Sequence, residues 1–318
     1  MPKVTVLMSV YNGQKYLREA INSILNQTFK DFEFIIIDDC SIDKTKDIIL
    51  SYKDSRIRFI ENKKNIGLTK SLNKGLKIAR GKYIARMDVD DISMPERVEK
   101  QISFLDKHKD IAVVGSWIEI INMESSRAYV LKNDCNPAII KWTHIFKNQI
   151  THSSAFFRKE IIKKIGHYNE KYKYAQDFDF WFRISRKYKI ANIPKVLVKY
   201  RIHSKSVTET PKTHKIQKQS ILEIIFNNIN YYINLDQKNF KIFVNAIKWA
   251  KISSFKHLIK VRKIYKNLFN SYIKKENLNK EDIKRIFPDY KKKQRVMFIW
   301  YIKPKFPKVY NLCKNLFK

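Results

Sequence analysis

From Val4 to about residue 121 the apolar positions alternate between two spacings. Val4–Val10 is a short, nearly continuous apolar run, the mark of a buried strand. Leu17, Ala20, Ile21, Ile24 and Leu25 then fall at helical intervals. The run 32-FEFIIID-38 predicts a second buried strand and residues 45–52 a helix. Ile57–Glu61 predicts a third strand, and residues 68–80 a helix with Leu72, Leu76 and Ala79 on one face. Tyr83–Met87 reads as a fourth strand, a helix starts near Pro95, where proline suits the first turn, and 111-IAVVGSWIEII-121 is a fifth strand. This β-α-β-α order predicts an α/β domain with a mainly parallel sheet and helices on both faces.

Past residue 125 the pattern is mixed. Segments 150–159, 166–184 and 196–206 read as strands, loops and one helix completing the same domain. From about Thr213 the chain becomes long-period, helical and basic, with helices expected over 216–233 and 239–270 and a Lys-rich end. The expected organisation is therefore one domain over residues 1–212 and a helical, basic region over 213–318. No stretch reaches the roughly 18–20 apolar residues of a membrane-spanning helix, and the longest late run, 296-VMFIWYI-302, is too short. The start, MPKVTVLMSVYN, has no signal-peptide layout, so a cytosolic protein is expected. Cys40, Cys135 and Cys313 are widely spaced and predict neither a disulfide framework nor a zinc site.

Reactive-looking residues gather where the predicted strands end. Tyr11 follows the first strand, Asp38 and Asp39 close the second, and Asp88, Asp90 and Asp91 follow the fourth. Open parallel sheets bind ligands at this edge. Three carboxylates within four residues repel one another unless positive charge arrives. Two aspartates flanking one residue suit a hard cation, Mg2+ or Mn2+, shared with substrate phosphate oxygens. The plainer reading of the same stretch is a solvated acidic turn with one Asp capping the next helix. An EF-hand is excluded, because the loop lacks its glycine and its twelfth-position Glu.

An ordered series of motifs over residues 3–208 resembles the glycosyltransferase family 2 enzymes. It comprises 6-VLMSVYNG-13, 35-IIIDDCSIDKT-45, 65-NIGLTKSLNKG-75, 80-RGKYIARMDVDD-91, 152-HSSAFFRK-159, 175-AQDFDFWFR-183 and 199-KYRIHSKSVT-208. The resemblance implies a GT-A, Rossmann-like nucleotide-diphospho-sugar transferase fold and inverting transfer of a sugar. The donor expected is a UDP-sugar, the activity hexosyl- or N-acetylhexosaminyl-transfer, and the cofactor Mn2+ or Mg2+. By position it places Asp39 on the base with Tyr11 lining that pocket, Asp88 on the ribose side and Asp90 on the metal. His203 matches a position near diphosphate or metal. Asp91, His152 and Arg201 are weaker candidates, and Arg86 and Arg201 suit phosphates or structural ion pairs equally. The family's Glu-Asp pair before the W-x-R helix stands here as Gln176-Asp177. Gln takes no proton, so Asp177 is the expected general base, while Asp179 looks structural and Trp181 is most simply core.

Charge sharpens the expectation for the C-terminal region. The chain carries a formal +35, and residues 211–318 hold 26 Lys and Arg against 6 Asp and Glu. The end, residues 291–318, interleaves Lys with aromatic and aliphatic residues and suits an interfacial helix or hairpin on an anionic membrane. Packing against the rest of the protein is the alternative. Together these features lead to a peripheral enzyme of the inner membrane face. It would act on a glycan or lipid-linked acceptor in surface-polysaccharide synthesis. Three rivals remain. A nucleic-acid-binding protein rests on charge alone, has no recognisable motif, and is not expected. A nucleotidyltransferase lacks its Gly-rich triphosphate loop, and a module binding sugar nucleotide without turnover is supported only by Gln176.

Overall fold

A computed structural model describes residues 1–122, 128–203 and 211–305. The first half lays down β1 (Val4–Val10), α1 (Leu17–Leu25), β2 (Phe32–Asp38), α2 (Thr45–Leu50), β3 (Ile57–Glu61), α3 (Leu68–Ile78) and β4 (Tyr83–Met87). There follow β5 (Ile92–Ser93), α4 (Arg97–Lys107), β6 (Ile111–Asn122), β7 (Ala128–Leu131), α5 (Pro137–Thr143), β8 (Phe156–Arg158), α6 (Ile161–Ile165), α7 (Gln176–Ser185) and β9 (Lys189–Ile202). One sheet runs in the order β3-β2-β1-β4-β8-β6-β9-β5, with β7 paired to β6. The long ladders, β1 with β2 and β4, β2 with β3 and β6 with β9, are parallel. The antiparallel ones are short, because β5, β7 and β8 are only two, four and three residues long.

Helices on both faces explain why β1, β2 and β4 are buried along their whole length. Val4, Val6 and Met8 pack with Leu17, Ile21 and Ile24 of α1 on one side. Leu7, Ile35 and Ile37 pack with Leu72 and Leu76 of α3 and with Trp181 of α7 on the other. Removing one such side chain, as in Phe34→Ala, costs about 3–5 kcal/mol by transfer and cavity terms together.

The helix expected near Pro95 begins at Arg97, because residues 92–93 first form β5 against Lys199 and Val198 of β9. This short strand has no periodicity to betray it. Its position bends the sheet. Flat, the four strand spacings from β4 to β5 would measure about 19 Å. The five residue steps from Met87 to Ile92 reach at most about 18 Å, and the turn at Val89 and Asp90 makes them shorter still. The sheet must therefore curl, and residues 88–91 close it like a strap.

The chain divides into two compact units, Met1–Ile224 and a second from Ile225 onward. The division falls within α8 (Pro211–Asn230), beyond which come α9 (Gln237–Trp249), α10 (Phe255–Lys275) and α11 (Lys280–Lys305). The single helix expected over 239–270 is two. Ala250 takes a left-handed conformation, φ 53°, and Ser254 caps α10 by accepting the His257 N–H at 3.1 Å. Met297 and Ile302, in the tail read as interfacial, are buried in α11. Residues 204–208 and 306–318, which belong to the last quoted motif and to that tail, lie outside the described residues.

Candidate active site

Because β1, β2 and β4 are parallel, their carboxyl ends share one edge. A cleft of about 510 Å³ opens there, and Tyr11, Asp39, Asp88, Asp90, His152 and Asp177 all line it. These six come from five separate stretches of chain. Asp91, Arg201 and His203 do not line it.

Asp39 is 2% exposed and fixes the β2–β3 side of the cleft. Its Oδ1 accepts from Asn62 Nδ2 at 2.8 Å, the Ile66 N–H at 2.9 Å and Ser71 Oγ at 3.1 Å, and its Oδ2 from the Gly67 N–H at 2.7 Å. Gly67 stands at φ 88° and ψ 154°, a conformation open to glycine and hardly to other residues. The glycine therefore lets the chain bring two consecutive N–H groups onto one carboxylate just before α3.

The acidic triplet is balanced largely from within. Arg86, 1% exposed, donates Nη2 to Asp88 Oδ1 in a close ion pair. Arg97, fully buried below it, donates Nη2 to the Arg86 carbonyl at 2.7 Å, and burial lowers its pKa to about 9. Asp91 is buried and accepts the Arg201 N–H at 2.9 Å. Burial, and then the charges of Asp90 and Asp88, hold it well above the usual carboxylate range. Arg201 donates Nε to the Asp90 carbonyl at 2.8 Å and Nη2 to Glu19 at 2.5 Å, and lies 4.6 Å from the Tyr16 ring centroid. It braces the acidic strap from behind. That leaves Asp90 with His203, whose Nε2 stands 3.1 Å from Oδ2. Burial and the nearby Asp88 raise the Asp90 pKa.

His152 faces the cleft in a defined tautomer. Arg86 Nε–H has to donate, and its partner is His152 Nε2 at 3.2 Å, with the Tyr168 hydroxyl 3.1 Å from the same nitrogen. The ring proton is thereby held on Nδ1. Burial and the Arg86 charge keep the ring neutral by lowering its pKa well below the ordinary value.

Asp177 sits in the first turn of α7, whose preceding residue, Ala175, is left-handed at φ 65°. Asn148 donates Nδ2 to Asp177 Oδ2 at 2.7 Å. Burial nevertheless pushes the Asp177 pKa up to about 6. Asp179 points elsewhere, into a 2.8 Å ion pair with Arg183, and Trp181 is fully buried. Asn148, Lys147 and Tyr200 also line the cleft and were not singled out from sequence. Nothing in the periodicity marks them, since the fold alone brings residues 147 and 148 to α7.

A sequence model described as glycosyl transferase family 2 matches residues 5–166. An uncharacterised glycosyltransferase of Methanocaldococcus jannaschii is 39% identical over 261 residues, 79% of this chain and 85% of the relative. Among solved structures, S. aureus TarS 1–349 in complex with UDP-GlcNAc is similar at TM-score 0.60 and 16% identity, covering 95% of this chain and 91% of that one. The mannosyltransferase PcManGT of Pyrobaculum calidifontis, in complex with GDP-Man and Mn2+, is similar at TM-score 0.58 and 14% identity over 96% and 88%. These likenesses bear out the GT-A fold.

Proposed function

The chain belongs to glycosyl transferase family 2 and is a glycosyltransferase, and from there we propose that it moves a hexosyl or N-acetylhexosaminyl group from a UDP-sugar to a hydroxyl of a glycan or lipid-linked acceptor, with inversion at the anomeric carbon. The observation that carries this reading is the convergence of Tyr11, Asp39, Asp88, Asp90, His152 and Asp177 on one cleft. UDP-GlcNAc bound to TarS supports the donor class.

Asp39 suits a uracil. Each carboxylate oxygen offers about two acceptor sites. Oδ1 is used by three donors and Oδ2 by one, which leaves Oδ2 a place for the imide N–H of the base. Tyr11, 48% exposed at the mouth, is free to cover the ring. Asp88, held by Arg86, faces the ribose.

The donor set also suits a divalent cation. Among the described residues no three His, Cys, Asp or Glu side chains form a ready cage. Asp90, whose side chain meets His203 at 3.1 Å, fits Mn2+ or Mg2+ that completes its shell with substrate oxygens. When bound, such an ion neutralises the departing diphosphate.

Asp177 is the assigned base. It takes the proton as the acceptor oxygen bonds to the anomeric carbon, and the bond from that carbon to the diphosphate oxygen breaks. Two preparations acting on one α7 carboxylate make this workable: Asn148 fixes the oxygen, and the pKa near 6 leaves it ionised yet basic at neutral pH. Calorimetric titration of UDP should show binding with Mn2+ and none with chelator, and Asp90→Ala should abolish the metal-dependent part. Equal binding in both conditions removes the metal from Asp90. No binding in either removes UDP as the donor nucleotide.

A further inference from the structure

From Gln237 to Lys275 the chain carries eleven Lys and Arg and no Asp or Glu. In this second unit the large apolar side chains mostly turn inward, as Phe243, Leu258, Val261 and Tyr265 do at 1% exposure or less. Phe255 and Ile259 do not. They are 57% and 53% exposed and stand one turn apart on α10, so they share a face. Exposed Lys256 and Lys260 flank them along the helix, and exposed Lys251 lies in the turn before it. Lys305 of α11 joins them. Its Nζ donates to the Ser253 carbonyl and lies 5.1 Å from the Tyr301 ring, whose centroid is 6.0 Å from that of Phe255. The N-terminal end of α10 contributes its partial positive charge at the same point.

Two exposed apolar anchors among cations, with no carboxylate in the local sequence, suit few partners. A soluble polyanion uses the lysines but gains little from a phenylalanine and an isoleucine. A protein interface of this apolar character is usually depleted in lysine. An anionic bilayer uses both, with apolar side chains at the headgroup boundary and lysines on the phosphates. No described helix is long and apolar enough to cross a membrane, so the contact is peripheral.

We propose that this end of the helical unit docks on an anionic lipid bilayer through Phe255 and Ile259, with Lys251, Lys256 and Lys260 on the lipid phosphates. The surface is centred on α10 and meets the tail expected to be interfacial, residues 291–318, at Tyr301 and Lys305. The inference stands apart from the transferase reading, since lipid binding is measured without donor or acceptor.

The test is sedimentation of the full chain with vesicles of phosphatidylcholine alone or mixed with phosphatidylglycerol, at low and high salt. Binding is expected only with phosphatidylglycerol and is weakened by salt. Lys256→Gln with Lys260→Gln should lower the partition coefficient by roughly twenty-fivefold, about fivefold for each lysine. Phe255→Ser with Ile259→Ser should lower it by roughly tenfold or more, because insertion of both side chains is lost. All four side chains face solvent, so circular dichroism and thermal melts should stay unchanged. Three results overturn the proposal: no preference for phosphatidylglycerol, indifference to Phe255→Ser with Ile259→Ser, or lysine-dependent binding to duplex DNA with none to vesicles.

Discussion

Asp177, the proposed general base, shows how a buried carboxyl is held at a cost in stability. Its carboxyl titrates near 6 in the fold against 3.8 for an ordinary Asp, because burial opposes its charge. The stability it contributes is thus full below pH 3.8 and is lost as pH rises through 6. Asp177→Asn should therefore melt higher than the native chain at pH 7, by about 1–3 kcal/mol at most. That gain should vanish near pH 4. The same variant should keep UDP affinity and lose transfer by about a hundred- to ten-thousandfold, while native transfer rises with pH through about 6. Retained transfer in the variant sinks the base assignment. Asp177 was legible in sequence as the one proton acceptor left beside Gln176. Its partner Asn148 was not, since only the folded loop brings residues 29 apart in sequence to 2.7 Å. Likewise the acid triplet looked unbalanced in the sequence, where Arg86 suited a phosphate or a structural ion pair equally; in the fold it pairs with Asp88, and the buried Arg97, not singled out from sequence, adds positive charge beside Asp91 and Asp88.

At the scale of elements, the long strands declared themselves and the short ones did not. β1, β2 and β4 are apolar runs buried on both faces, and their order fixed the ligand-binding edge. β5 and β8 are too short for any period to register, yet they decide how the sheet closes. The break between α9 and α10 was hidden for a different reason. Ala250 is an ordinary helix former that here adopts φ 53°, and only the Ser254 cap signals the restart. The bond pattern of β9 makes one element a support for another. Arg201 on β9 holds the backbone of Asp90 and the side chain of Asp91 at once. Arg201→Ala should leave Asp90 in place chemically but loosely held. Metal-dependent UDP affinity should fall about ten- to a hundredfold, the usual effect of removing a partner that orients a ligand. Titration of Mn2+ at fixed UDP measures it, and unchanged affinity would confine Arg201 to packing.

For the whole molecule, a net charge of +35 is the property most easily mistaken for a function. Charge alone attracts any polyanion, with an affinity that collapses as salt displaces the released counterions. Retention on heparin or duplex DNA should disappear between ~0.05 and ~0.3 M salt, while UDP affinity in the presence of Mn2+ should change by less than about threefold over that range. Loss of both together would return the charge-only reading to first place. The curl of the sheet has a separate consequence, for how this cleft can be altered. Surface connections usually tolerate added residues. Residues 88–91 join β4 to β5 through a turn at Val89 and Asp90. One inserted residue there would break that turn and carry Asp90 away from His203. Anyone redesigning the donor preference of this protein must treat the stretch from Met87 to Ile92 as a fixed dimension.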